Sequence, residues 1–254
     1  MELPRGVRSH PPSVDDPWWH TLGTVGGTDL VHVDLTPNET REAAALKWLD
    51  AAETARWRRY RHPRPGRQFV LCRAVLRGML CERLRCANEE LLFVALEHGK
   101  PAAFVGDTPV RLSFNVSHGG NHGLIAFAPH GRLGVDIEER NLRHDPDGEI
   151  RKVFTPDEQD ALASAVGELK TRLFFKLWTL KEAVIKALGT GFSLDTATFE
   201  LPRPMYRGGQ RQARFELPPL RQLPRHPRVR WRLDDLGNDD FAAAVARELP
   251  PEGA

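Results

Sequence analysis

The chain has 254 residues, 41% hydrophobic and 28% charged, enough for one large or two small globular domains. Its formal net charge is only +2, which argues against a general nucleic-acid binder. No run of about 18 apolar residues is present to span a membrane.

Residues 1–28 lack the apolar segment of a secretory signal and read as an irregular N-terminal extension. The first expected strand is 29–35, DLVHVDL, which alternates and stops at Thr36-Pro37. Helical spacing follows over 39–60 and 67–85, interrupted by the breakers of HPRPG at 62–66. Seven of the 36 basic residues are lysine, which leaves 29 arginines, and these cluster between Arg56 and Arg85. A guanidinium suits phosphate, but most of this cluster reads as a solvated helix surface. Cys72, Cys81 and Cys86 show no metal-ligand spacing, and their odd number fits reduced thiols in the cytoplasm. A short apolar run, 91–96, ends at His98-Gly99-Lys100-Pro101. Strand-like runs at 111–116 and 123–128 flank SHGGN, and 133–137 follows.

The second half repeats the order of the first. After the strand GVDI come helices over 156–166 and 168–188, the first capped by Thr155 with Glu158 three residues on. Gly189 and Gly191 stop the second. Strands are expected at 198–201, 213–217, 229–233 and 241–245, with the proline-rich 217–228 as a surface loop. The pattern predicts an α+β fold of two similar lobes, 29–130 and 131–254.

Two segments carry chemistry. In GVDIEE, 134–139, strand alternation sends Asp136 and Glu138 to one face and Ile137 to the other. Paired carboxylates repel unless a cation lies between them, and hard oxygens suit Mg²⁺; the plainer reading is a solvent-facing polar edge. In LFFKLWTLKEAVIKAL, 173–188, Leu173, Leu177, Leu180, Val184 and Leu188 form the core stripe. Trp178, Glu182 and Lys186, spaced by four, form a second stripe. A surface salt bridge of this spacing contributes only about 0.2–0.5 kcal/mol and does not account for the flanking Phe174, Phe175 and Ile185. Glu182 and Lys186 therefore face an interior cleft, where a third carboxylate completes a metal site and Lys186 neutralises a phosphate.

GVDIEE, followed some forty residues later by FFKLWTLKEAVIKALGTGF, resembles the signature motifs of the 4′-phosphopantetheinyl transferases, the Sfp-type branch above all. HGKP and FNVSHGG are similar to that family's Gly-Lys-Pro and Asn-(Ile/Val)-Ser-His segments, in the same order, and the resemblance covers about 29–246. It implies a pseudo-dimer of two similar α/β lobes with coenzyme A, the substrate, in the cleft between them. Asp136, Glu138 and Glu182 would hold Mg²⁺ (or Mn²⁺) with the pyrophosphate, Lys186 would contact the phosphates, and Lys100 with Gly99 would line the nucleotide end. Ser117 and His118 would meet phosphate groups, Asn115 would hold the loop backbone, and Arg56, with Arg67 and Arg73 as further candidates, would meet the 3′-phosphate.

The implied reaction is attack by a serine of an apo acyl or peptidyl carrier protein on the β-phosphorus, releasing 3′,5′-ADP. Asp136 and Lys186 assist, and Glu182 is the base; a relay water serving Glu138 or Glu182 stays open. The resemblance implies a cytoplasmic monomer serving fatty-acid, polyketide or nonribosomal-peptide synthesis, with no nucleic-acid or membrane partner. The basic stretch 140–152, with Arg140, Arg143, Arg151 and Lys152 followed by Val153 and Phe154, is the expected carrier-docking surface. Two rival functions are a metal-dependent nucleotide phosphohydrolase and a non-catalytic carrier-binding relative. The first leaves the HGKP and NVSH segments without a role, and the second is at odds with an intact Asp136, Glu138, Glu182 and Lys186.

Overall fold

The computed structural model describes residues 17–95, 100–141, 146–191, 194–217 and 229–250; Gly99 and Arg143 lie outside the described residues. The chain opens with β1 (Trp19–Val25) and β2 (Thr28–Asp34), an antiparallel hairpin. The expected irregular extension is thus corrected in part: β1 lies inside it, and its residues 1–16 lie outside the described residues. Most β1 side chains are exposed, so no apolar alternation betrays the strand. The signal was the turn Gly26-Gly27, whose φ values of 57° and 76° are those a two-residue hairpin needs.

The single helix expected over 39–60 is two, α1 (Glu39–Leu46) and α2 (Ala51–Trp57). Asp50 starts the second: its Oδ1 accepts from Glu53 N at 2.8 Å while Glu53 Oε2 accepts from Asp50 N at 3.1 Å. The next helix, α3 (Pro63–Leu84), begins inside the expected breaker, because prolines in the first turn forgo only N–H groups that have no helical partner. Its arginines also correct the expectation of a solvated surface. Arg77 is wholly buried, donating to Asp50 Oδ2 and Glu53 Oε2 at 2.6 Å each, and the buried Arg67 donates to Leu35 O at 2.8 Å.

A small sheet follows, of β3 (Leu91–Ala95), β4 (Pro101–Val105) and β5 (Thr108–Pro109), the last two unforeseen. Then come β6 (Ser113–Gly119), β7 (His122–Ala128) and β8 (Leu133–Glu139). Ser117 and His118 therefore lie on a strand, not in a turn. The second half continues with α4 (Asp147–Val153), α5 (Pro156–Ala163), α6 (Glu168–Leu188) and the short α7 (Arg203–Tyr206). It closes with β9 (Gln212–Glu216), β10 (Arg230–Asp235) and β11 (Phe241–Glu248). The strand expected at 198–201 is absent: a 3-10 turn covers Thr196–Thr198, and Phe199 and Leu201 plug the core from irregular chain.

One four-stranded sheet runs β1-β2-β7-β6, the other β8-β11-β10-β9. In both, the strand before the helices pairs with the last strand of the half, which pairs with the penultimate one; this is a mixed α/β fold with an internal repeat. Helix α3 covers the outer face of the first sheet through Leu71, Val75 and Leu80, and α6 covers the second through Leu177, Leu180 and Val184. Between the sheets, Leu30, Leu124 and Ala126 meet Val135, Ile137 and Val245. The edge strands β6 and β8 run side by side, tied by Asn115 Oδ1 accepting from Val135 N at 2.8 Å. Asn115 therefore braces the other lobe, not its own loop. Among the described residues no helix is long and apolar enough to cross a membrane, and the three cysteines are free and buried.

Lys181, beside Glu182 in sequence, points the opposite way. It is fully buried, 2.8 Å from Glu158 Oε2, and donates to Thr196 O and Phe199 O. Glu158 also accepts from Thr155 N and Leu201 N, so this pair staples α5 and the irregular 196–201 segment to α6. Removing one partner of a buried pair leaves the other charge uncompensated. Lys181→Met is expected to lower the unfolding free energy by about 3–5 kcal/mol in urea titrations, and a loss below about 1 kcal/mol, the range of an exposed pair, would contradict this role.

Candidate active site

The site grows from two close backbone approaches. A Cβ on Gly134 of β8 would run into Ala183 O and Ala187 N, so only glycine lets α6 lie flat against the strand. A Cβ on Gly119 of β6 would stand 2.5 Å from Ile137 O and 2.6 Å from Glu138 Oε2, so the first lobe also reaches β8 only through glycine. These contacts bring together one side chain from each element. Lys186 Nζ of α6 lies 2.7 Å from Asp136 Oδ1 of β8 and donates to Ser117 Oγ of β6 at 2.6 Å. Ser117 Oγ in turn donates to Asp136 Oδ1 at 2.8 Å.

Asp136 is 2% exposed, and its second oxygen, Oδ2, is buried with no hydrogen-bond partner among the described residues. Glu138 and Glu182 are half-buried beside it. Burial, then the Asp136 charge, pushes the Glu138 carboxyl up to about 7 against the pull of Lys186, and Glu182 adds to the rise. Burial and Asp136 likewise raise Glu182, again opposed by Lys186. Three carboxylates thus share one ammonium. Among the described residues no three carboxylate, imidazole or thiolate groups converge as a preformed metal cage. A hard cation such as Mg²⁺ does not need one, since it keeps several waters and takes phosphate oxygens with one or two carboxylates. The orphaned Asp136 Oδ2 and the surplus negative charge fit such an ion.

Two adjoining pockets that share Pro101 and Val116 lead away from this triangle. One, of ≈ 190 Å³, is lined by Lys100, Asn115, Lys186, Gly189 and Gly191. The other, of ≈ 160 Å³, is lined by Arg56, Phe69, Arg73, Leu76 and His118. Arg56 lies over the Phe69 ring at 4.8 Å and Arg73 over Phe93 at 4.3 Å. Arg73 lines the pocket, its Nη1 is buried without a partner among the described residues, and its Nε is 3.5 Å from Glu53 Oε1. Desolvation in the cleft, then the Lys186 ammonium, lowers His118, although the residue as a whole is exposed. Neutral imidazole is thereby favoured until an anion arrives. A larger cleft of ≈ 440 Å³ lies elsewhere, beside Val25 and Leu236, but its Arg211, Asp234 and Asp235 already have protein partners.

Of the residues expected at the site, Asp136, Ser117 and Lys186 are in direct contact, Glu138 and Glu182 are their electrostatic neighbours, and Arg56 and His118 face one pocket. Arg67 is corrected to a structural role, since its Nε is held by Leu35 O, whereas Arg73 has the free donors. The difference could have been suspected: between Arg67 and Leu84 the only acid is Glu82, so these arginines have few local surface partners. The expected docking stretch is also partly corrected. Asp147–Val153 is a helix and Phe154 is fully buried, so Phe154 offers no surface contact, while Arg151 and Lys152 remain exposed.

A family model described as 4′-phosphopantetheinyl transferase superfamily matches residues 132–246, and one described as 4′-phosphopantetheinyl transferase, N-terminal, matches residues 34–130. The chain is 38% identical over 146 residues to a putative 4′-phosphopantetheinyl transferase of Synechocystis, covering 57% of this chain and 58% of that one. It is 32% identical over 173 residues to the 4′-phosphopantetheinyl transferase HetI of Nostoc, covering 65% and 71%. To the 4′-phosphopantetheinyl transferase Sfp of Bacillus subtilis it is 26% identical over 190 residues, covering 74% and 80%.

The raised Glu138 carboxyl has a consequence for stability. Because its folded value is about 7 against an ordinary 4.5, the fold favours the protonated acid, and stability is lost as pH rises through that interval. In metal-free buffer, Glu138→Gln is expected to raise the melting temperature at pH 8 by a few degrees, with the gain vanishing as pH falls toward 4.5. Thermal melts showing an equal gain at both ends, or a loss at pH 8, would contradict the assignment.

Proposed function

The chain belongs to the 4′-phosphopantetheinyl transferase superfamily, and on that premise we propose that it transfers the 4′-phosphopantetheine group of coenzyme A to a serine of an apo carrier protein. The observation that carries this reading is the Lys186 ammonium between Asp136 and Ser117, beside two half-buried glutamates and lining one of two adjoining pockets. The polar groups are sorted by sign along the cleft: acids at one end, Arg56, Arg73 and His118 at the other. A ligand with two separate phosphate groups fits that arrangement if a divalent cation, with Lys186, joins its pyrophosphate to the acids while the other phosphate meets the basic end.

In this reading Arg56, Arg73 and His118 hold the 3′-phosphate, and Lys186 meets the pyrophosphate while still holding Asp136. Arginine forks and a point-charge ammonium suit these two tasks. The carrier serine oxygen forms a bond to the β-phosphorus, the bond from that phosphorus to the bridging oxygen breaks, and 3′,5′-ADP leaves. The serine proton goes to Glu182, the acid that stands beside Lys186 on the same helix face. Asp136, Glu138 and Glu182 would hold Mg²⁺, which when present offsets the charge gathering on the pyrophosphate oxygens. Lys186 contributes to the same stabilisation from the protein side. Exposed Arg151 and Lys152 supply positive charge for an acidic carrier surface.

Intact-mass analysis of a panel of apo carrier proteins incubated with coenzyme A and Mg²⁺ tests this directly. At least one carrier is expected to gain the mass of phosphopantetheine. The gain should disappear in EDTA and in folded Asp136→Ala and Glu182→Ala variants. Release of pantetheine 4′-phosphate without any carrier gaining mass would assign the site to hydrolysis instead.

A further inference from the structure

Lys100 stands just before β4 in the first lobe, but its ammonium is directed into the second. It donates to Leu133 O, at the start of β8, and to Lys186 O, in the last turn of α6, both at 3.1 Å. Each partner belongs to an element that supplies the central ion pair: Leu133 lies three residues before Asp136, and the other carbonyl is that of Lys186 itself. Carbonyls in the last turn of a helix lack an intrahelical donor, and a cation there is favoured by the helix dipole. The left-handed Gly189 that ends α6, φ 73°, packs against the same side chain, since a Cβ there would stand 3.9 Å from Lys100 Cδ.

Two of the three ammonium donors of this side chain are thus spent on protein backbone, although it also lines the pocket beside Lys186. Its two partners are neutral backbone oxygens, and desolvation lowers its pKa to about 8, with Arg132 adding to the fall. Even a half-buried ammonium loses hydration there, a cost offset by the geometry it enforces.

We infer that Lys100 is a positioning residue: through Leu133 O and Lys186 O it clamps the end of α6 to the start of β8 from across the cleft, and so sets Lys186 against Asp136. This rests on the transfer function proposed above. It differs from the nucleotide contact implied by the Gly-Lys-Pro resemblance, because here the side chain acts on protein backbone and reaches the reaction only through Lys186.

A double-mutant cycle separates the two roles. Transfer kinetics are measured for the wild type, Lys100→Met, Lys186→Met and the double variant, well below their melting temperatures. Lys100→Met alone is expected to lower kcat by about 10- to 100-fold, the effect of a small misplacement. Added to Lys186→Met it should lower kcat no further, because its effect passes through that side chain. Amide exchange at residues 186–190 should also rise in Lys100→Met relative to the rest of α6. Multiplying effects on kcat, or a higher KM for coenzyme A with kcat unchanged, would overturn the inference in favour of a direct ligand contact. Unchanged exchange at residues 186–190 would overturn it as well. If Lys100→Met does not fold, Lys100→Gln, whose neutral amide keeps N–H donors, enters the same cycle. Absence of transfer by the wild type would instead overturn the parent function, and the exchange measurement would still decide what Lys100 does.

Discussion

The contact between Lys186 and Asp136 is the constraint on which the cleft depends. A carboxylate at 2% exposure is stable only if its charge is met, and here a single oxygen accepts from both an ammonium and a hydroxyl. Those donors come from α6 and β6, so satisfying one buried acid fixes a helix of the second lobe and a strand of the first against β8. The same arrangement spends Lys186 on Asp136, and burial together with the Asp136 charge then raises the Glu138 and Glu182 carboxyls. The protein alone does not neutralise its own cleft. Unresolved charge of this kind, held in place by an otherwise well-packed fold, is what distinguishes a binding site from a structural ion pair.

The contrast within α6 makes the point. Lys181 and Lys186 lie five residues apart on one helix, each beside a carboxylate at less than 3 Å. Lys181 is sealed among Phe154, Phe199 and backbone carbonyls, and Glu158 is satisfied on both oxygens; nothing remains for a ligand. Lys186 keeps 31% of its side chain exposed, and its acid retains an unpartnered oxygen. One pair holds the lobe together and the other waits for a partner. On α3 the same sorting separates Arg77, fully engaged by Asp50, Glu53 and two carbonyls, from Arg73, whose Nη1 is unused.

Much of this was legible in the residues. The spacing of Asp136 and Glu138 by two and of Glu182 and Lys186 by four reports side-chain direction, and direction follows from local geometry alone. What stayed hidden depends on long-range partners. Nothing near Lys181 in sequence identifies Glu158, 23 residues away, as its counter-ion, so the spacing shows one polar stripe where the helix carries two. Asn115 reads as a brace for its own loop and Lys100 as a ligand contact because their partners, Val135 N, Leu133 O and Lys186 O, are backbone atoms of another lobe, which no side-chain pattern announces. The strand β1 was missed for a different reason: an exposed edge strand has no buried face to produce alternation, and only its Gly-Gly turn marks it.

The central claim is that Lys186 and Asp136 form one energetic unit, and a stability cycle on that pair tests it most directly. Unfolding free energies are measured at neutral pH, without metal, for the wild type, Lys186→Met, Asp136→Asn and the double variant. Lys186→Met should be the least stable, by about 3 kcal/mol, because it strands a buried carboxylate. The double variant should recover most of that loss. Additive effects of the two substitutions, or a Lys186→Met protein as stable as the wild type, would contradict the account.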